Sequence, residues 1–279
     1  MQKLPFLFLI LLTGLGGIVF YYRNQPTAIA SPADYSRYLS EKQIESHRAT
    51  LSARIAFWEK KLRLDPDNFV FQKKLAGLFA QDFRQRGDIA QLRRSDSLWQ
   101  LVLTRYPDQT DVLLGLAANA ITRHAFRDAE KYAAKAYALG EKKFSCSLIL
   151  ADVHLERGNF TEAGFLLENV ASTHHFDYLI RKVKLLDQNG NLDEAVVTME
   201  KAAGLAKSSG SDALYNWSLS NLADMYGHQG KIRLSYQTYL KALEYNPADF
   251  HALKGIAWIA FVADKNSVEA TRIVQFLKS

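Results

Sequence analysis

The clearest pattern of apolar and polar positions lies between residues 211 and 250, and it predicts two antiparallel helices. Apolar residues recur at helical spacing over residues 214–228 and again over residues 232–245. Gly230 separates the two stretches, and a glycine there can adopt the left-handed conformation that ends a helix. Asn246-Pro247 ends the second stretch because proline cannot continue a helix. One such pair cannot bury its own apolar stripes, so it needs similar pairs beside it.

The rest of the chain supplies further pairs of the same kind. The apolar periodicity predicts them over residues 70–106, 112–139, 145–171, 178–207 and 252–277. Gly87, Gly158 and Gly190 each stand one residue before an Asp or Asn that can cap the next helix, with an acid or amide three residues later. These glycines indicate tight turns between antiparallel helices. Ahead of the pairs, we expect a polar spacer at residues 24–33 and one long helix at residues 34–66 that projects from the folded body.

An apolar run lies near the start of the chain. Residues 4–22 contain no charge and lie between Lys3 and Arg23, and at about 1.5 Å per residue a helix of this length nearly spans the hydrocarbon core of a bilayer. One interpretation makes residues 1–23 a transmembrane signal anchor with the repeat domain on the extracytoplasmic, periplasmic side. The other makes the run a signal peptide cleaved after Ala30, which would give a secreted or periplasmic soluble protein. The run is long for a signal peptide, which favours the single-pass anchor.

Composition narrows the classes of function. The formal net charge is +6, but basic and acidic residues are interleaved, so we expect no nucleic-acid partner. Cys146 is the only cysteine, which excludes an intrachain disulfide. The sequence has no nucleophile motif, phosphate loop or clustered metal ligands, and His174-His175 lies in a predicted turn. We therefore predict a protein that is not an enzyme, with no catalytic residue, cofactor or metal.

The spacing of the helix pairs is typical of one repeat family. The residues expected where the two helices of a pair cross are Ala76, Ala117, Ala151, Val183, Ala223 and Trp258, which are separated by 41, 34, 32, 40 and 35 residues. Periods near 34 with two helices each resemble the tetratricopeptide repeat family. The family pattern is met best by Leu222-Ala223, Tyr226, Tyr239, Ala242 and Pro247, and the resemblance covers roughly residues 67–278.

The resemblance implies an all-α, right-handed α-solenoid of about five to six helix pairs, forming a repeat domain at residues 67–279 after the transmembrane helix. It also implies that the first helix of each pair lines a concave groove. The candidate groove residues are Lys73, Leu114, Ala118, Leu148, Asp152, Ile180, Lys184 and Asp224. Family members that clamp a peptide's terminal carboxylate line this wall with Lys, Arg and Asn, whereas the positions here are mostly Leu, Ile, Ala and Asp, so that function is not expected. An apolar strip flanked by charges suits an amphipathic helix or an extended segment, unless these side chains pack between repeats.

Three functions remain open at this stage. The first is a membrane-tethered scaffold that binds a protein or peptide partner in the groove at a cell envelope. The second is a secreted or periplasmic chaperone-like or assembly subunit released by cleavage after Ala30. The third is a structural subunit that self-associates through its terminal repeats. It requires an exposed apolar face at Trp258, Ile259, Phe261 and Val262, which a monomer would cover with residues 267–277.

Overall fold

The computed structural model describes residues 28–172 and 174–278, which form fourteen α-helices and no strand. The helices are α1 (Pro32–Tyr35), α2 (Glu41–Leu64), α3 (Phe69–Arg86), α4 (Ile89–Arg105), α5 (Thr110–Thr122), α6 (Phe126–Ala138), α7 (Lys143–Glu156), α8 (Phe160–Glu168), α9 (Phe176–Gln188), α10 (Leu192–Ser208), α11 (Asp212–His228), α12 (Ile232–Tyr245), α13 (Phe250–Val262) and α14 (Ser267–Lys278). The predicted anchor at residues 1–23 lies outside the described residues. Within them, no helix combines the length and the apolar character that crossing a bilayer requires.

Helices α3 to α14 form six consecutive antiparallel pairs, each packed on the next. This confirms the prediction of an all-α helical repeat solenoid. The turns follow the expected chemistry: Gly87 and Gly230 adopt left-handed φ angles of 72° and 73°. The side chain of Asp88 accepts a hydrogen bond of 2.9 Å from the backbone N–H of Ala90 and so caps α4. Local signals in the sequence therefore place the helices and their ends.

Alanine lies at the crossing point of five of the six pairs, with one correction to the predicted alignment. Ala76, Ala117, Ala151 and Ala223 are fully buried, as expected for positions where two helix backbones approach closely. In the sixth pair the buried residue is Ala257, which lies 34 residues after Ala223, and not Trp258, which is exposed. The predicted register was wrong by one residue, which on a helix turns a side chain by about 100°.

The segment before the repeats differs from the predicted spacer and continuous helix. Residues 28–38, which we call the N-terminal strap, fold back onto the last two helix pairs and are followed by a break before α2 begins at Glu41. The backbone N–H groups of Ile29 and Ala30 donate to Oδ1 and Oδ2 of Asp264, each at 2.8 Å. Tyr35 and Tyr38 are buried in the same core. The strap therefore joins the beginning of the described chain to its end.

Helix α2 then connects the two ends of the solenoid. It has 24 residues and is about 36 Å long. Near its start, the guanidinium of Arg48 lies 5.8 Å from the ring centroid of Phe250 in α13. Near its end, the rings of Trp58 and Phe71, the latter in α3, are 5.6 Å apart. The helix does not project from the body, as the sequence had suggested, but spans from the sixth helix pair to the first.

Candidate functional site

The charged residues predicted for the groove form ion pairs with side chains of the neighbouring helix pair. Lys73 Nζ of α3 lies 2.5 Å from Asp111 Oδ2 of α5. Asp152 of α7 binds Arg181 of α9, with Nη2 at 2.7 Å. Burial raises the pKa of Asp152, and the guanidinium of Arg181 opposes that rise. These pairs connect successive repeats.

Two further pairs continue the same series. Lys184 of α9 forms an ion pair with Glu156 of α7. Asp224 of α11 accepts a hydrogen bond from the hydroxyl of Tyr239 and lies 2.6 Å from Nε2 of His251 in α13. The hydrogen bond to Asp224 raises the pKa of His251. The four predicted charges thus contact the protein itself, and each acts as a link between helices.

The predicted apolar strip is only partly exposed. Leu148 is buried in a core cluster with Leu179 and Val183, which corrects its assignment to the groove surface. Leu114 and Ile180 are half-buried, and Ala118 is exposed. Helical spacing places all four on the first helices, but the packing of α7 against α9 removes Leu148 from the solvent. No continuous apolar strip results.

A cavity of about 490 Å³, which we call the central cavity, lies where the two ends of the solenoid face each other. Helix α3 contributes Gln81 and Arg84, while α11 contributes Asn216 and Trp217. Arg48 of α2 also lines the cavity. The lining is completed by residues just before α13 and in its first turn: Asn246, Ala248, Asp249, Phe250 and His251. The cavity exists because α2 and the N-terminal strap bring the first and last repeats together.

The arginines of the central cavity lack acidic partners among the described residues, whereas its carboxylate is already hydrogen-bonded. Arg84 forms no ion pair in the part of the chain that the structure describes, and burial lowers its pKa. Arg48 lies against the ring of Phe250 and has no carboxylate partner within residues 28–172 and 174–278. The carboxylate of Asp249 is already occupied, since its Oδ2 accepts from Asn216 Nδ2 at 2.8 Å and from Ser220 Oγ at 2.5 Å. The cavity therefore presents two cationic groups without an acidic partner.

Asn216 adds a second unusual feature. Its side chain is only 8% exposed, and although Nδ2 donates to Asp249, Oδ1 has no hydrogen-bond partner among the described residues. A buried acceptor without a donor costs free energy, and such an atom is satisfied by water or by a ligand. Trp217, the next residue, lines the same cavity and is exposed. The arrangement offers an acceptor, an aromatic surface and two guanidinium groups within one space.

The alignment of repeats predicts Asp224 on the concave wall but does not identify Asn216, Trp217 or Arg84. The partner helix across the cavity was not evident from the sequence, because the closure depends on the fold of residues 28–64. One signal was available: Trp217 falls outside the apolar stripe of α11, where a large aromatic side chain is not required by the core. No group of three metal-binding side chains occurs among the residues described by the structure.

Comparisons with known proteins agree with this architecture. The family model described as Tetratricopeptide repeat matches residues 176–209 and 218–249, which correspond to α9–α10 and to most of α11–α12 with the following turn. No curated protein sequence matches the chain. The family model therefore covers the fourth and fifth helix pairs, and this partial match supports a repeat fold of the tetratricopeptide type.

Several solved structures share the fold. Yeast Tom70 is similar over 81% of this chain and 54% of its own, with a TM-score of 0.55 and 12% identity. A thermophilic TPR protein from Thermus thermophilus matches over 68% of this chain and all of its own, with a TM-score of 0.58 and 16% identity. A tetratricopeptide repeat protein from Parabacteroides merdae matches over 87% and 91%, with a TM-score of 0.56 and 14% identity. The chain spans about half of the Tom70 structure. At these identities the likeness shows the fold alone.

Proposed function

We propose that this protein is a membrane-tethered interaction scaffold whose central cavity holds an extended, acidic segment of a partner protein. The observation that carries the proposal is the pair of arginines in the cavity that are unpartnered in the described part of the chain. Arg48 and Arg84 face it without a carboxylate partner among the described residues, whereas the predicted groove charges Lys73, Asp152 and Lys184 are paired. A carboxylate entering the cavity would gain charge-assisted hydrogen bonds without displacing an existing ion pair.

The polar lining suits a peptide backbone. Oδ1 of Asn216 can accept a hydrogen bond from a backbone N–H, which would satisfy the acceptor that the described part of the protein leaves unpaired. Trp217 offers an apolar surface for a side chain of the same segment. A space of about 490 Å³ accommodates a few residues and not a folded domain. We therefore favour a short extended segment over the amphipathic helix that an apolar strip would have bound.

The tether rests on the uncharged run at residues 4–22 and on the strap. Cleavage after Ala30 would remove the two backbone N–H groups that donate hydrogen bonds to Asp264. It would also create a charged amino terminus at Ser31, next to the site that the buried Ala30 occupies. These contacts favour a chain that keeps the residues before Ser31. Fractionation of full-length protein with intact-mass measurement tests this: a soluble species that begins at Ser31 would replace the tethered scaffold by the secreted chaperone-like alternative.

The binding proposal is tested by site-specific photo-crosslinking in cells that express the full-length protein. A photoreactive amino acid replaces Trp217 in the cavity, or Phe165 on α8 as a matched control at an exposed position outside the cavity. We expect a discrete protein adduct from position 217 that is absent from position 165. The variant Arg84→Glu should abolish the adduct because it replaces the free cation by a like charge.

A second charge reversal makes the test specific. Lys184→Glu changes the net charge by the same amount as Arg84→Glu, but Lys184 is paired with Glu156 outside the cavity. The adduct should therefore survive Lys184→Glu. Binding in the central cavity would be contradicted if positions 165 and 217 gave the same adducts. It would also be contradicted if both charge-reversed variants lost the adduct to the same extent.

A further inference from the structure

The end of the solenoid formed by α13 and α14 combines an exposed apolar surface with the point at which the chain enters the described structure. Trp258 and Phe261 are 48% and 58% exposed, and Val262 is also exposed. These three positions are spaced by three and four residues, so they share one face of α13. We call them the terminal apolar patch. Helix α14 covers the neighbouring Ile259, which is buried with Ile273, but it leaves the patch in contact with solvent.

The N-terminal strap fixes the position of the chain beside this patch. Asp264, which accepts both strap hydrogen bonds, is two residues after Val262. Tyr35 anchors the other end of the strap, because it is buried and its hydroxyl donates to Glu269. The chain entering at Ala28 is therefore held against the α13–α14 end of the solenoid. The six residue steps between Ala28 and Tyr22 cover at most about 20 Å when fully extended.

We infer that the terminal apolar patch contacts the lipid bilayer at the level of the headgroups, so that the α13–α14 end of the solenoid faces the membrane. This inference rests on the proposed tether at residues 1–23. Tryptophan and phenylalanine are suited to the interface between water and hydrocarbon. Lys254 and Lys265 lie on either side of the patch along the chain, where anionic headgroups would attract them. Only a few residues of chain separate the strap, which is held beside the patch, from the apolar run at residues 4–22.

The orientation has a consequence for the central cavity. Phe250 and His251 at the start of α13 line the cavity, while the patch lies toward the end of the same helix. The helix of thirteen residues separates the two by at most about 20 Å. A scaffold docked in this way would hold its partner segment within one helix length of the membrane surface.

The experiment uses full-length protein reconstituted into vesicles of phosphatidylcholine and phosphatidylglycerol. Phe261→Cys, and Phe165→Cys as the matched control, are labelled with an environment-sensitive dye, and the wild-type chain serves as the labelling blank because Cys146 is buried. We expect the label at position 261 to shift its emission to shorter wavelength and to be quenched by spin-labelled lipids. The label at position 165, where the phenylalanine is similarly exposed, should show neither effect.

Alkaline carbonate extraction of the same vesicles separates the two ideas. Resistant protein with no quenching at position 261 would overturn the docking inference and leave the tether intact. Protein that carbonate removes would overturn the tether and the docking inference together. A third outcome is a blue-shifted emission at position 261 that spin-labelled lipids do not quench and that disappears when each vesicle carries, on average, less than one copy of the protein. This outcome would assign the patch to contact with a second copy of the chain and so overturn the inference.

Discussion

Replacement of Gly255 by alanine should destabilise the protein, because α13 passes directly over a buried tyrosine at this point. A Cβ atom at position 255 would lie 2.1 Å from Cζ of Tyr239 and 2.5 Å from its hydroxyl oxygen. Tyr239 is buried, and its hydroxyl donates to the carboxylate of Asp224. The ring cannot move aside without losing that hydrogen bond, so the added methyl group must displace one helix from the other.

The magnitude follows from three contributions. Overpacking of a well-packed site costs about 1–3 kcal/mol. Weakening of the hydrogen bond between Tyr239 and Asp224, whose acceptor is charged, costs roughly 1.5 kcal/mol or more. The higher helix propensity of alanine returns about 1 kcal/mol. The net expectation for Gly255→Ala is a loss of about 2 kcal/mol, which corresponds to a decrease in Tm of roughly 4–8 °C for a protein of this size.

Gly77→Ala provides the matched control. Gly77 lies inside helix α3, and a Cβ atom there would have no neighbour within 4 Å. The same substitution should therefore leave the protein unchanged or raise the free energy of unfolding by up to about 1 kcal/mol. Both variants can be followed by thermal and urea unfolding with far-ultraviolet circular dichroism. Equal stability of the two variants would refute the close approach of α13 to Tyr239.

Three further outcomes follow from the structure. Asp264→Ala removes the acceptor for the strap and should lower the free energy of unfolding by about 2 kcal/mol. It should also speed tryptic cleavage after Arg37, whereas an unchanged digestion pattern would contradict the role of Asp264. The raised pKa of His251 predicts stabilisation that is full below about pH 6.5, the unfolded value, and is lost as pH rises through the folded pKa. His251→Gln should flatten that part of the stability profile measured by urea unfolding, and an unchanged slope would contradict it. Burial raises the pKa of Cys146, so Ellman's reagent should modify this thiol slowly in native protein and rapidly in denaturant, and fast native reaction would refute its burial.

The sequence was sufficient for the repeats because the signals that define them are local. Helical periodicity, turn glycines such as Gly87 and capping residues such as Asp88 act within a few residues, and the observed helices begin and end close to the predicted positions. The error at Trp258 has a different cause. Both Ala257 and Trp258 fit a helical stripe, and only the packing of α13 on its neighbours distinguishes the buried position from the exposed one.

The closure of the solenoid was not predictable in the same way. The contact between Ile29 and Asp264 joins residues 235 positions apart, and no repeat pattern encodes it. Once the strap and α2 are in place, Arg48 and Arg84 meet residues of α11 and α13 across the central cavity. An alignment of repeats considers only neighbouring pairs, so it could find the groove wall but not a site formed by its two ends.

The difference between paired and unpaired charges explains why the cavity, and not the wall, is the better candidate for recognition. A partner carboxylate that binds Lys184 must first release Glu156, so it gains only the difference between two similar ion pairs. Such exposed pairs contribute about 0–1 kcal/mol, and the net gain from an exchange is smaller still. At Arg84 no carboxylate of the described residues is displaced, so an incoming carboxylate gains the whole of the charge-assisted contact. Partner selection therefore depends on whether a segment can deliver an acidic group into the central cavity.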